Sequence, residues 1–309
     1  MVDNENKVLL FTHKVDIDGM GSAILSSLIF ENLEVVFCET FEIDQLFLNY
    51  VDDGSIYNYS QIFITDICLS ESSLILVSND DILKSKIKIF DHHKLQIKNI
   101  SEYEFLTLKS SDATGLCCGT SLFYEYLLDN GLIECFSVVD DFVELTRQYD
   151  TWEWKDVYHN ESANDLNLLF NIWGREKYIE AMINKLITLD KFSFSSDEAK
   201  LIIAYKTEIR EMCRNYILAM KIKKLDGLFV GVVNGVEYRC RNDLSQIIKD
   251  EQTNIDYLVF DILNKNTISF RSINPMIDVA EIATRFGGKG HKNASSCPKT
   301  DDVVKFYFS

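Results

Sequence analysis

Ile87-Lys88-Ile89-Phe90-Asp91-His92-His93-Lys94 is the stretch on which the rest of this chain turns. Its first four residues form an apolar run that reads as a short strand. An acid and two adjacent imidazoles at the end of a strand are costly to build for packing alone. Together they offer an oxygen ligand, a nitrogen ligand and a further polar group, the mixture that suits a divalent metal. The plainer alternative is a polar turn that happens to hold two of the chain's five histidines. What decides between them is whether other acids converge on the same place.

Moving outward, the same arrangement recurs. Val8-Leu9-Leu10-Phe11 reads as a buried strand and runs into Thr12-His13-Lys14-Val15-Asp16-Ile17-Asp18-Gly19, after which Gly21 to Phe30 has helical character. Gln61-Ile62-Phe63-Ile64-Thr65-Asp66 is another strand that ends in an acid, and Val35 to Phe37 is a further apolar run. Strands alternating with helices predict an α/β fold, a mostly parallel sheet flanked by helices. In such sheets ligands sit beyond the carboxyl ends of the strands. Asp16 and Asp18, Asp66, and Asp91 with His92 would therefore gather at one rim. Helices are predicted over Gly115 to Asn130, Ser137 to Tyr149 and Asn167 to Ile183. The second closes on Tyr149-Asp150-Thr151-Trp152-Glu153-Trp154, which brings Asp150 forward as a fourth carboxylate.

A chain of 309 residues with 47% hydrophobic and 12% aromatic content is globular and long enough for two domains. The polar start and the short apolar run behind it match neither a signal peptide nor a membrane span, so the expected location is the cytoplasm and no membrane partner is expected. Eight cysteines without a CxxC pair suit reduced, buried thiols better than a disulfide frame or a structural zinc site. The net charge of −17 argues against a protein that coats long nucleic acid. That charge is uneven. Residues 1–190 carry 13 basic and 33 acidic side chains, whereas residues 191–309 carry 18 and 15.

The predicted organisation is a metal-binding domain over 1–190, a connecting helix over 191–226 and a smaller α/β domain over 227–309. Ser195 with Glu198 three positions on is a capping-box pattern, and apolar residues at helical spacing extend one helix over 195–224, with Lys221, Lys223 and Lys224 at its C-terminal end. In the last domain Gly227 to Val233, Leu258 to Leu263 and Thr267 to Phe270 read as strands. Asp243 to Ile248 and Asp278 to Arg285 read as helices. The run Phe286-Gly287-Gly288-Lys289-Gly290-His291 then precedes a predicted helix, where bare backbone amides would hold phosphate oxygens, with Arg271, Lys289 and His291 adding charge. A surface turn is the plain alternative.

Taken together, the rim holds His13, Asp16, Asp18, Asp66, His92 and Asp150. Four carboxylates gathered this closely repel one another unless cations sit among them. Two divalent cations would balance them, with manganese favoured and cobalt or magnesium as alternatives. Two metals about 3.5–4 Å apart support hydrolysis of phosphoesters or phosphoanhydrides. The chain has no P-loop and no GxSxG elbow.

The ordered set Asp16-x-Asp18-Gly19, Asp66, Asp91-His92-His93 and Asp150, followed by Gly287-Gly288-x-Gly290-His291, resembles the DHH phosphoesterase family with its C-terminal DHHA1 domain, over nearly the whole chain. The resemblance implies two domains facing each other across a cleft, with two manganese ions in the first and the substrate held by the second. It implies His13, Asp16 and Asp66 on one metal, with Asp18, Asp66, His92 and Asp150 on the other, Asp66 bridging. It makes His93 the catalytic group that touches the scissile phosphate or its attacking water, and Asp91 its catalytic-site neighbour, fixing His92 by hydrogen bond. It gives Gly287, Gly288, Lys289, Gly290 and His291 to holding a terminal phosphate or the sugar-phosphate backbone, and Arg271 joins these substrate-binding residues through its charge. His13 stands three residues before Asp16 where many members have four, and Lys289 replaces the third glycine of the family's GGGH pattern. The run from Gln148 to Trp154 is most like the nanoRNase B branch. The expected substrates are short oligoribonucleotides or linear dinucleotides, cut to mononucleotides from the 3′ end. A cyclic dinucleotide, another small nucleotide, or a nucleotide-binding regulator are the alternatives. A homodimer is among the expected partners.

Overall fold

The computed structural model describes residues 6–93, 97, 100–113, 115–251 and 253–309; Lys94 of the opening stretch lies outside them. Two units are distinguished, Met1–Ile202 and Ile203–Ser309.

The first unit runs β1 (Val8–His13), α1 (Ile17–Ile29), β2 (Leu33–Cys38), α2 (Ile43–Asp52), β3 (Gln61–Thr65), α3 (Glu71–Ser78), α4 (Asp81–Lys86), β4 (Ile87–Asp91), β5 (Leu106–Leu108), α5 (Gly119–Asp129), α6 (Ser137–Asp150), α7 (Glu153–Asp156), α8 (Glu161–Trp173) and α9 (Arg175–Thr188). Its five strands pair in the order β2-β1-β3-β4-β5, all parallel. Alternate residues of a strand point to opposite faces, and here both faces are apolar. Val8, Leu10, Phe63 and Phe90 join a core with residues of α1, α5, α6, α8 and α9. Leu9, Phe11, Ile62, Ile64, Ile87 and Ile89 join a second core with α2, α3 and α4. This is the predicted parallel sheet with helices on both faces. The single helix expected over Asn167 to Ile183 is instead two, because Gly174 adopts φ 75° and ψ 172° and breaks it.

Helix α10 (Ser196–Ala219) spans the division between the units. Its capping box is present: Ser195 N–H donates to Glu198 Oε2 at 2.6 Å, and Glu198 N–H donates to Ser195 Oγ at 3.3 Å. The helix ends before the expected 224. Lys221, Lys223 and Lys224 lie in the strand β6 (Lys221–Leu225), which pairs antiparallel with β7 (Leu228–Val236). The cause is a two-residue turn, Asp226-Gly227, with φ of 50° and 86°, the positive pair that an Asp-Gly hairpin demands.

The second unit continues with α11 (Arg241–Asp250), β8 (Tyr257–Ile262), β9 (Thr267–Ser272), α12 (Val279–Thr284), β10 (Lys289–His291), β11 (Ala294–Pro298) and α13 (Asp301–Phe308). Its sheet has the order β10-β11-β9-β8-β7-β6, antiparallel except for β7 with β8. The helix expected after the glycine run is not there. Lys289-Gly290-His291 forms one arm of a hairpin with Ala294 to Ser296, and β11 continues the sheet onto β9. Ser295 and Cys297 bury alternately along β11, a period-2 pattern that a helix would waste. Gly288 and Gly290 serve close backbone approach, whereas Gly287 stands in open space at φ 72°. A Cβ on Gly288 would come within 2.2 Å of the Ser296 carbonyl oxygen. Among the described residues, no helix is long and apolar enough to cross a membrane.

Candidate metal centre

Three adjacent parallel strands deliver the centre. β1 ends in His13, β3 is followed by Asp66, and β4 ends in Asp91 just before His92. Because these strands are neighbours and point the same way, their ends meet at one edge. The loop after β1 is short, so α1 begins at the same edge. Asp16 is its N-cap and accepts the Gly19 N–H at 3.2 Å, and Asp18 stands in its first turn. Asp150 arrives from elsewhere, as the last residue of α6.

The side chains converge. His13 Nδ1 lies 2.8 Å from Asp16 Oδ2 and 3.3 Å from Asp66 Oδ2. His92 Nε2 lies 3.4 Å from Asp66 Oδ1, 3.3 Å from Asp150 Oδ2 and 3.8 Å from Asp18 Oδ2. Potential ligand atoms thus cluster as His13, Asp16 and Asp66, as Asp18, His92 and Asp150, and as Asp66, Asp91, His92 and His93. Asp66 occurs in two of the three groups, lying against His13 through Oδ2 and against His92 through Oδ1.

These short distances are not hydrogen bonds. His13 Nδ1, Asp66 Oδ2, His92 Nε2 and Asp150 Oδ2 are buried without a hydrogen-bond partner. Buried polar atoms are otherwise almost always paired, so four orphans aimed at one another suit a cation that would sit among them. The donor set, carboxylate oxygens with imidazole nitrogens, is that of a divalent metal. Without the cation the charges oppose one another. Burial, then the neighbouring charges of Asp18, Asp16 and Asp150, pushes the Asp66 carboxyl well above the usual range. Asp150 is pushed up in the same way, by burial and by Asp18 and Asp16. Burial holds the His92 imidazole down, toward the neutral ring that ligates a metal.

Asp91 acts differently from the expectation. Instead of fixing the His92 ring, its Oδ1 reaches His92 only through the backbone N–H, at 2.8 Å. The ring that it holds is His93, whose Nδ1 lies 2.7 Å from the same oxygen. The geometry is local: a carboxylate at the strand end accepts the next two backbone amides, which folds the chain back and brings the second imidazole over it. The Asp91 bond raises the His93 pKa.

Several contributors escape sequence reasoning. The N-terminus of α5 clamps Asp18: Gly119 N–H donates to its Oδ2 and Thr120 N–H to its Oδ1, each at 2.7 Å, and Thr120 Oγ1 donates to its backbone oxygen. An acid is favoured at that helix end. A Cβ on Gly119 would stand 2.7 Å from Asp66 N, so only glycine lets α5 approach this closely. The signal available is Cys118-Gly119-Thr120-Ser121 with a capping box, but a predicted helix start at Gly115 hides it. Asp66 itself has φ 60°, an uncommon left-handed conformation for a residue other than glycine, and it marks a constrained site.

The remaining predicted residues belong to the second unit. Arg271 is buried in β9, with 9% of its surface exposed, while Lys289, Gly290 and His291 are exposed in β10 and Gly287 and Gly288 lead into it.

The fold is shared with solved structures. The exonuclease RecJ bound to manganese superposes with a TM-score of 0.57 at 13% identity, covering 96% of this chain and 86% of that one. A pGpG-specific phosphodiesterase, PggH of Vibrio cholerae, gives 0.54 at 14% identity, over 97% and 95%. The DHH domain of a member of a ribosomal-protein family gives 0.61 at 13% identity, over 98% and 85%. No family model matches the chain. Fold, the order of the Asp and His motifs and sequence likeness agree: the chain belongs to the DHH phosphoesterase family, on its nanoRNase B branch. The chain is similar to the oligoribonuclease NrnB of Bacillus subtilis, 31% identical over 303 residues, which span 96% of this chain and 74% of that protein.

Proposed function

We propose that the protein is a two-metal phosphodiesterase that hydrolyses short oligoribonucleotides or linear dinucleotides to mononucleotides from the 3′ end, with manganese as the metal. The observation that carries this is the set of four buried, partnerless atoms on His13, Asp66, His92 and Asp150. His13, Asp16 and Asp66 would hold one ion. Asp18, Asp66, His92 and Asp150 would hold the other, with Asp66 shared. When bound, such a pair lowers the pKa of water and steadies the oxygens of an in-line displacement.

The chain's own groups then have separable tasks. Asp18, fixed by two backbone amides, has one orientation open to it. His93 is held at Nδ1 by Asp91, so its Nε2 is the edge it can offer to a phosphate oxygen, and the carboxylate keeps the ring's proton. Trp154 is buried, whereas Trp152, two residues after Asp150, is 52% exposed and stands at φ 62°. Trp152 is therefore the tryptophan that can stack a base. Arg271, Gly287, Gly288, Lys289, Gly290 and His291 would hold the substrate's phosphates.

Incubation with manganese and end-labelled RNA of graded length tests the proposal. Mononucleotide release from the shortest strands, fading with length, is expected. No release at any length from metal-loaded protein would refute it.

A further inference from the structure

Asp150 stands where a helix gives a carboxylate least support. It is the last residue of α6, so the helix dipole opposes its charge, and the chain then turns through Trp152 at φ 62°. Arg147, buried and one helical turn earlier, holds this end of the helix together. Its backbone carbonyl accepts the Thr151 N–H at 3.0 Å and the Thr151 hydroxyl at 2.7 Å. Its guanidinium then spans the turn. Nε and Nη2 donate to the two carboxylate oxygens of Glu144, each at 2.7 Å. Nη1 donates to Glu153, three residues beyond Asp150, and Nη2 to the Tyr158 hydroxyl at 3.3 Å.

The same group reaches a second element. Nη1 also donates to the Leu116 carbonyl at 2.8 Å. Leu116 lies three residues before Gly119, whose N–H together with that of Thr120 clamps Asp18. The approach is close. A Cβ on Gly115 would stand 3.4 Å from Arg147 Nη1 and 3.6 Å from each carboxylate oxygen of Glu153, and Gly115 has φ 142°, which side chains disfavour. One side chain therefore ties the end of α6, which carries Asp150, to the segment leading into α5, which fixes Asp18. Its acid partners, Glu144 and Glu153, lie outside the carboxylate cluster, so its charge serves the frame rather than the ligands. A planar fork that meets carboxylates and a carbonyl at fixed angles sets an orientation that a flexible ammonium does not.

We propose that Arg147 is a positioning residue for one ion of the pair, the one that Asp18, Asp66, His92 and Asp150 would hold. It acts through the placement of Asp18 and Asp150. His13 and Asp16, which would serve the other ion, come from the end of β1 and the N-cap of α1, and Arg147 makes no hydrogen bond to either segment among the described residues. This rests on the two-metal reading and adds to it that the two affinities are separable: loosening the frame around one ion leaves the other in place.

The test is a manganese titration of metal-free, full-length protein for wild type, Arg147→Lys and Glu153→Gln. Bound and free ion are counted by electron paramagnetic resonance, and thermal melting is recorded for each protein. Wild type should bind two ions and show the signal of a spin-coupled manganese pair. Arg147→Lys keeps the charge and loses the fork. It should bind one ion as wild type does and the other about tenfold or more weakly, the scale on which groups that orient ligands act, so the coupled signal appears only at correspondingly higher manganese. At that manganese level hydrolysis of a dinucleotide should return. Glu153→Gln leaves the bonds to Glu144 and Leu116 in place. It should weaken the same ion by less, and it carries the test if Arg147→Lys does not fold. Glu34→Gln, near the opposite end of the strands, is the control: it lowers the melting temperature and should leave both affinities unmoved. Equal weakening of both ions, or no weakening of either, in the folded variants overturns the proposal and leaves the two-metal reading standing. Wild type that binds fewer than two ions refutes the two-metal reading and the proposal with it. Two ions bound as described without hydrolysis would leave the role of Arg147 standing and refute the phosphodiesterase reading alone.

Discussion

Asp66 is the residue on which the charge balance of the centre depends. It is buried, stands in a left-handed conformation and faces an imidazole with each oxygen. If it bridges two ions, Asp66→Ala abolishes hydrolysis and lowers bound manganese, measured by elemental analysis of the purified protein. Asp66→Asn gives a sharper reading without metal. The folded-state pKa of Asp66 is raised, so its share of stability is present at low pH and lost as pH rises through that value. Metal-free Asp66→Asn should therefore melt above metal-free wild type at neutral pH, with the gap closing as the pH falls. Gly119→Ala places a methyl group against Asp66 and should weaken manganese binding by about tenfold or more, since groups that position ligands act on that scale. The sequence displays His13, Asp16, Asp18, Asp66, His92 and Asp150 because each is a ligand-type side chain at a strand or helix end. It hides Gly119 and Thr120, which act through backbone amides that any residue possesses. It also misdirects Asp91, because which of two adjacent imidazoles a carboxylate holds depends on the turn between them.

At the level of elements, the parallel sheet is legible because its strands are apolar runs that end in acids or imidazoles, and both observations point to the same edge. Where the period of the pattern is ambiguous, the expectation fails. Lys221 to Leu225 continues the helical spacing of α10 well enough to pass as its last turn, yet Asp226-Gly227 makes it a hairpin arm. The glycine run at 287–290 reads as the approach to a helix, and the alternating burial of Ser295 and Cys297 makes it a hairpin as well. Strand β2, at the edge of the first sheet, is held by a network on Glu34, whose carboxylate accepts from Lys7, Tyr50 and Tyr59. Burial would raise the Glu34 pKa, but these donors outweigh it and hold it at about 2, against 4.5 in the unfolded chain. The stabilisation is thus present above about pH 4.5 and is lost as the pH falls toward 2. Glu34→Gln should lower the melting temperature at neutral pH, with the difference shrinking across that window.

For the whole molecule, charge divides along the chain. The first 190 residues hold the clustered Asp and His side chains of the proposed metal centre and most of the acid, while the remainder is slightly basic. An acidic surface repels long polyanions, so if the proposed centre acts on short strands, selection against length should weaken as salt screens the surface. Raising salt should therefore speed hydrolysis of RNA of about 20 nucleotides relative to a dinucleotide. An unchanged ratio would remove surface charge from the account. Composition alone conveys that asymmetry. What it cannot convey is contact between distant residues, such as Arg271 of β9 and Asn242 of α11, 29 residues apart in sequence.

The most direct test is a manganese titration of metal-free protein in which bound metal and dinucleotide hydrolysis are measured on the same samples, for wild type and Asp66→Ala. Wild type should bind two ions per chain and become active as both are bound, and the variant should fall short in both respects. Full metal binding and unchanged turnover in Asp66→Ala, or metal-loaded wild type that cleaves no phosphodiester, would contradict the assignment of this edge of the sheet as a hydrolytic metal centre.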